Sequence, residues 1–213
     1  MKYTDGMASY PMDATDFKNF IFQGRALFTI QNDDNTDVTL SVTSLAKRKD
    51  DPENRELFDV ELKAINGGYQ RSIYLGQINR TKKKFAKRFH VEDDNPGVVA
   101  VKWIIDNWNT LDDSTDKRFF HRGRCSRCFL ELKVSESIET HLGPICLKAR
   151  EKETLDIIER LGIDTKGLSY VEMVLKAIEV DPTVYSRVYI PGSIRRDMDK
   201  SIFETDMFED VLF

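Results

Sequence analysis

Residue types suited to a metal site are concentrated in one short stretch. All three cysteines of the 213-residue chain lie within 22 residues, Cys125 and Cys128 as a C-x-x-C pair and Cys146 after it. His121 stands four residues before the pair and His141 five before the last cysteine. Two closely spaced thiolates, a hairpin-length gap and a third thiolate suit a tetrahedral ion that takes four sulfur or nitrogen ligands, and zinc is the usual ion of that description. By spacing alone the fourth ligand is either His121 or His141. Three thiolates and one imidazole leave no position for water, so the site reads as structural and the chain is not expected to be an enzyme. The sequence has no phosphate loop, nucleophile elbow or paired-histidine motif, and it lacks the P-C-x-x-C of zinc deaminases.

Local elements must hold these ligands. Cys125 and Cys128 are expected to form a knuckle, a small turn whose backbone N–H groups face the sulfurs. Gly143-Pro144-Ile145-Cys146 places the third sulfur at the start of a helix from Ile145 to about Arg150, where the positive helix end favours a thiolate. Upstream, Phe20 to Gln31 reads as a strand. Val38, Leu40 and Val42 alternate with polar residues, as do Phe58, Val60 and Leu62, and Asn66-Gly67-Gly68 turns into a strand from Tyr69 to Ile78. The result is an antiparallel meander of about four strands. Val98, Val101, Ile105 and Trp108 mark a helix over Val98 to Asn109 that covers one face. Glu151 to Leu161 and Ser169 to Val180 read as two further helices.

The expected fold is therefore α+β: an antiparallel sheet with a covering helix, then a small treble-clef-like or zinc-ribbon-like module and C-terminal helices. The expected divisions are a mobile start over 1–16, a sheet-and-helix domain over 17–111, the zinc module over 118–150, helices over 151–190 and an acidic tail over 191–213. Met1 to Asp13 lacks a secretory signal, and no apolar run reaches the roughly 18 to 20 residues of a membrane span. A cytoplasmic location follows, where an odd cysteine count favours metal over disulfides.

The net charge of −4 conceals a segregation. Arg71 to His90 holds seven Lys/Arg and Lys117 to Phe129 five more, with no acid in either stretch, so these islands carry +12 and the remainder −16. Phenylalanines are interleaved with the cations: Phe85 and Phe89 in the first island, Phe119 and Phe120 in the second. Single-strand binders combine cations that follow phosphates with rings on which bases stack.

The stretch from His121 through Gly123-Arg124-Cys125, Arg127-Cys128, Leu132, Glu136-Ser137-Ile138 and Gly143-Pro144 to Cys146 resembles the small zinc-binding domain of many bacteriophage and prophage proteins. That family's pattern is close to H-x-G-R-C-x-R-C, a Leu, P-E-S-I and G-P-x-C. The resemblance covers roughly 30 residues and implies a phage protein located in the host cytoplasm, with His121 as the fourth zinc ligand. This chain departs from the pattern at Phe129, where the family has Gly, and at Ser135, where it has Pro.

The chain stops at Phe208-Glu209-Asp210-Val211-Leu212-Phe213, after a stretch from Asp197 with six acids and one Lys. This resembles the acidic, Phe-terminated tails of single-stranded-DNA-binding proteins, which dock on replication and repair partners. Together these features lead to the expectation of an accessory protein that binds single-stranded DNA or RNA during phage replication or recombination. Arg71, Lys82, Lys83, Lys84, Lys87, Arg88, Arg122, Arg124 and Arg127 would neutralise phosphates. Phe85, Phe89 or Phe119 would stack on bases, and Glu209, Asp210 and Phe213 would engage a host or phage replication protein. The competing expectation is a protein-binding effector that inhibits or redirects a host enzyme.

Overall fold

A computed structural model describes residues 9–31, 37–45, 56–66, 69–111, 117–186 and 188–191. The chain is mixed α/β and divides into two compact units, Met1–Leu142 and Gly143–Phe213.

The first unit is built on a seven-stranded antiparallel sheet of order β1-β7-β2-β3-β4-β5-β6. Its strands are β1 (Tyr10–Met12), β2 (Arg25–Gln31), β3 (Asp37–Ser44), β4 (Leu57–Asn66), β5 (Tyr69–Asn79), β6 (Lys84–Lys87) and β7 (Arg118–His121). The alternation seen in the sequence sets the register of the centre: Leu40 faces Phe28 on one side and Leu62 on the other, and Val42 faces Ala26 and Val60. All six are buried. Asn66 pairs with Tyr69, so β4 and β5 are joined through two residues, as the Asn-Gly-Gly signal requires. Asp33-Asp34-Asn35, residue types from which a turn between the strands ending at Gln31 and starting at Val38 is expected, lie outside the described residues.

Two helices of this unit carry apolar side chains into the same core. In α1 (Ala14–Ile21), Ala14, Phe17, Phe20 and Ile21 are buried at helical spacing, and the Asp13 side chain caps the helix by accepting from Asp16 N–H at 2.6 Å. In α2 (Pro96–Asp106), the Asn95 side chain accepts from Gly97 N–H at 3.0 Å, and Val98, Val101 and Ile104 are fully buried. Ile104 replaces Ile105 at the centre of the predicted stripe; Ile105 and Trp108 pack at its margin. A third, short helix, α3, spans Ser135–Thr140.

Three expectations are corrected. Residues 10–16 form a strand and the start of a helix, although they fell in the stretch expected to be mobile. Phe20 and Ile21 belong to α1, because their apolar partners lie three and four residues back and not two. The sheet also extends beyond 17–111, since β7, assigned to the zinc module, lies between β1 and β2.

One glycine is dictated by packing. Val60 faces Gly76 while Glu61 faces Tyr74, so Leu75 is the extra residue of a bulge. Gly76 has φ 142°, and a Cβ there would lie 2.1 Å from the Ala86 carbonyl oxygen on β6.

The second unit contains α4 (Pro144–Arg160), α5 (Tyr170–Val180) and a 3-10 turn (Pro182–Ser186). Ser169 and Glu172 close a reciprocal capping box at the start of α5. Ile157, Ile158, Val174, Ala177 and Ile178 bury a small core with Val184, Val188 and Ile190. α4 is continuous, so the helix expected from Ile145 runs on into the one expected from Glu151.

Gly76→Ala is expected to lower stability by about 2–6 kcal/mol, because backbone strain and overpacking add. Chemical denaturation of the two proteins checks this; an unchanged midpoint would mean that β6 yields freely.

Candidate metal centre and basic surface

β7 delivers the chain to the cysteines. Gly123 takes φ 62° directly after it, and its N–H donates to His121 Nδ1 at 3.2 Å. Arg124 then bridges to Glu131, Cys125 N–H donates to the Leu130 carbonyl at 2.8 Å and Phe129 N–H to the Cys125 carbonyl at 2.9 Å. The C-x-x-C pair thus lies in a tight hairpin, at the place expected for the knuckle. Phe129 occupies the left-handed region at φ 68°, where glycine is the unstrained residue. Ser126, buried between the two cysteines, holds the hairpin in place. Its carbonyl accepts from Arg25 N–H at 2.6 Å, and its N–H and Oγ both donate to the His141 carbonyl, at 2.9 and 3.0 Å.

Cys146 is the third residue of α4, within the turn whose N–H groups have no helical acceptor and stabilise a thiolate. The three cysteines are unbridged thiols, and their Sγ atoms lie within 4.8 Å of one another. Tetrahedral zinc with Zn–S near 2.3 Å would set them about 3.8 Å apart, so a small contraction would give coordination geometry. The three-sulfur group can hold a metal ion, and the softness of three thiolates restricts which ions suit it.

Neither histidine belongs to that group. His121, expected as the fourth ligand, is 1% exposed and stacks on Tyr10 with ring centroids 5.0 Å apart. His141 is 7% exposed and meets His121 edge to face at 4.6 Å, with Phe20 against both rings. Burial pulls the pKa of His121 down to about 3, with the charge His141 would carry adding to the effect. Burial likewise pulls His141 down to about 4, against a smaller opposing effect of the Ile138 carbonyl. Both rings are therefore neutral near pH 7.

The basic residues separate into distinct environments. Lys82, Lys84 and Arg88 are exposed on the turn and edge strand at the β5–β6 end, and Phe89 beyond them is 93% exposed. Arg71 is exposed toward the opposite end of β5. Lys87 is half-buried, donates to the Val91 carbonyl and pairs with Asp93 at 3.5 Å. Lys83 takes φ 45° and turns its ammonium onto the Trp108 ring at 4.4 Å and the Phe22 ring at 5.5 Å. Phe85 packs on the core.

In the second island, Arg124 is half-buried, donates to the Phe129 carbonyl at 3.1 Å and lies over that ring, and Arg127 is half-buried. Phe119 and Arg122 are withdrawn from any surface role. Phe119 is 2% exposed and stacks on Phe17 at 4.1 Å; Arg122 is 7% exposed and donates to Ser9 Oγ. The two islands are also far apart: β7 and β6 are five strand positions from each other, about 24 Å along the sheet. Glu209, Asp210 and Phe213 lie outside the described residues.

Sequence reasoning missed a groove beside the first island. It has a volume of about 550 Å³ and is lined by Ile73, Tyr74, Arg88, His90, Glu92 and Asp94 among others. The Arg88 guanidinium lies 5.3 Å from the Tyr74 ring centroid. The sequence signal was the adjacency of Arg88, Phe89 and His90; Tyr74 joins them only through the pairing of β5 with β6.

Phe119→Ala is expected to lose about 3–5 kcal/mol of stability and Phe89→Ala less than about 0.5, measured by chemical denaturation. A second test concerns Lys83, whose pKa falls from 10.5 to about 8, first through burial and then through Arg80. Below pH 8 both folded and unfolded chains carry that charge. Between pH 8 and 10.5 the folded chain releases its proton first, so stability relative to Lys83→Met should rise over this range. Parallel denaturation at pH 7.5 and pH 10 reads that difference.

Among the described residues no helix is long and apolar enough to cross a membrane. Comparison with known protein families, curated proteins and solved structures finds no match to this chain.

Proposed function

We propose that the chain is a phage-encoded, zinc-stabilised accessory protein that binds single-stranded nucleic acid at the β5–β6 end of its sheet during replication or recombination. The supporting observation is Phe89: a large ring, 93% exposed, next to the exposed Arg88 at one end of edge strand β6, with the exposed Lys84 and Lys82 at its other end. An exposed ring of this size among cations fits a stacking platform. The neighbouring groove, with Arg88 over Tyr74, offers room for a second base. Glu92 and Asp94 on its wall repel phosphate and accept from exocyclic amines, which suits a base more than a backbone.

In this reading zinc is the ion held by Cys125, Cys128 and Cys146, and the knuckle followed by a helix N-terminus is a treble-clef-like arrangement. Zinc supplies a permanent cross-link and takes no part in chemistry. Phage origin rests on the resemblance of the stretch from His121 to Cys146. Because the second basic island is largely engaged within the protein, the interface is assigned to the first.

Fluorescence anisotropy of labelled single-stranded and duplex DNA at low and moderate salt tests the proposal. Salt-sensitive binding that prefers the single strand is expected. Replacing Lys82, Lys84 and Arg88 together by Ala should reduce the slope of log affinity against log salt by about 2, since each neutralised phosphate of a single strand contributes about 0.7. Phe89→Ala should cost about 1–3 kcal/mol of binding. No binding at low salt by a folded, zinc-loaded sample overturns the proposal and leaves the protein-binding effector.

A further inference from the structure

The fourth position of the metal site is open to two buried imidazoles, and their hydrogen bonding distinguishes them. His121 uses Nδ1 as an acceptor for the Gly123 N–H. A neutral imidazole that accepts at Nδ1 carries its proton on Nε2, and neither nitrogen then has a free lone pair for a metal. His141 is different. Its side chain is almost fully buried, yet neither Nδ1 nor Nε2 has a hydrogen-bond partner. A buried polar group without a partner costs about 1–3 kcal/mol and calls for an explanation such as an ion.

The backbone of His141 is already fastened to the cysteine knuckle. Its carbonyl takes both hydrogen bonds from Ser126, which lies between Cys125 and Cys128. The residue caps α3 in the left-handed region at φ 57°, a conformation that a β-carbon disfavours. A strained residue with an unsatisfied imidazole, its carbonyl bonded to the residue after Cys125, fits a position whose side chain has a use.

We infer that His141, and not His121, completes a three-sulfur, one-nitrogen site with Cys125, Cys128 and Cys146. The inference rests on the reading of the three cysteines as a metal site. The ring lies outside the sulfur group, so ligation requires it to turn toward the sulfurs about its side-chain bonds. The thiols give up their protons on binding, and His141 donates a lone pair as neutral imidazole.

The direct test is a long-range ¹H–¹⁵N spectrum of the zinc-loaded wild-type protein, which identifies a metal-bound ring nitrogen without any substitution. A metal-bound nitrogen in His141 is the expected result. One in His121, or none in either ring, overturns the inference. A second test uses cobalt(II) in place of zinc on His141→Gly and His121→Gln. Glycine accepts the backbone angle at 141, so the variant should fold. His141→Gly should alter the cobalt d–d bands and weaken metal binding by at least the 10–100-fold that second-shell partners cost, while His121→Gln retains the wild-type bands. The reverse pattern overturns the inference. A wild-type chain that binds neither ion would instead remove the reading of the three cysteines.

Discussion

Strand β7 is the constraint on which the rest of the first unit depends. It is hydrogen-bonded on both sides, to β1 and to β2, and it sends Phe119 into the core among Phe17 and its neighbours. The chain that leaves it begins from a fixed point, and Arg122 N–H continues the ladder by donating to the Leu27 carbonyl at 3.3 Å. The knuckle is then tied by Ser126 to the first residue of β2 and to the end of α3. These backbone bonds, with the Ser126 Oγ bond to the same His141 carbonyl, register Cys125 and Cys128 against the sheet. An ion would therefore reinforce a placement of Cys125 and Cys128 that the sheet already imposes, unlike small zinc modules that are unfolded until metal binds.

The parts of this molecule that announce themselves in sequence are those governed by short-range rules. The C-x-x-C spacing is local and led directly to the three-sulfur group. Alternation over Val38–Val42 and Phe58–Leu62 is periodic enough to place β3 and β4, and Asn95-Pro96 and the Ser169/Glu172 pair mark the starts of α2 and α5. β1 and β7 were not legible because three or four residues are too few to show a period, and the two strands pair with each other across more than 100 positions of sequence. α1 was hidden for another reason. Its apolar residues run into those of β2, and only Gln23 and Gly24 separate a helical pattern from an extended one.

The candidate interface shows the same limit at the level of side chains. Phe85 and Phe89 look equivalent in the basic run, but Phe85 sits on β6 and turns to the core while Phe89 follows the strand end and stands in solvent. Lys83 looks like its neighbours, yet its backbone angle directs it onto Trp108 and Phe22. Charge counts record composition, whereas direction is set by pairing and turn geometry. For the same reason the two basic stretches, alike in composition, stand on strands far apart in the sheet.

The margins of the sheet carry one more consequence. β6 is a four-residue outer strand that begins and ends with Lys, and β1, at the other margin, is three residues long with Pro11 at its centre. Short length, charge and a missing N–H each discourage a second sheet from adding to an open edge. The lysines of β6 thus also guard against self-association, and neutralising them would remove a barrier to aggregation along with charge.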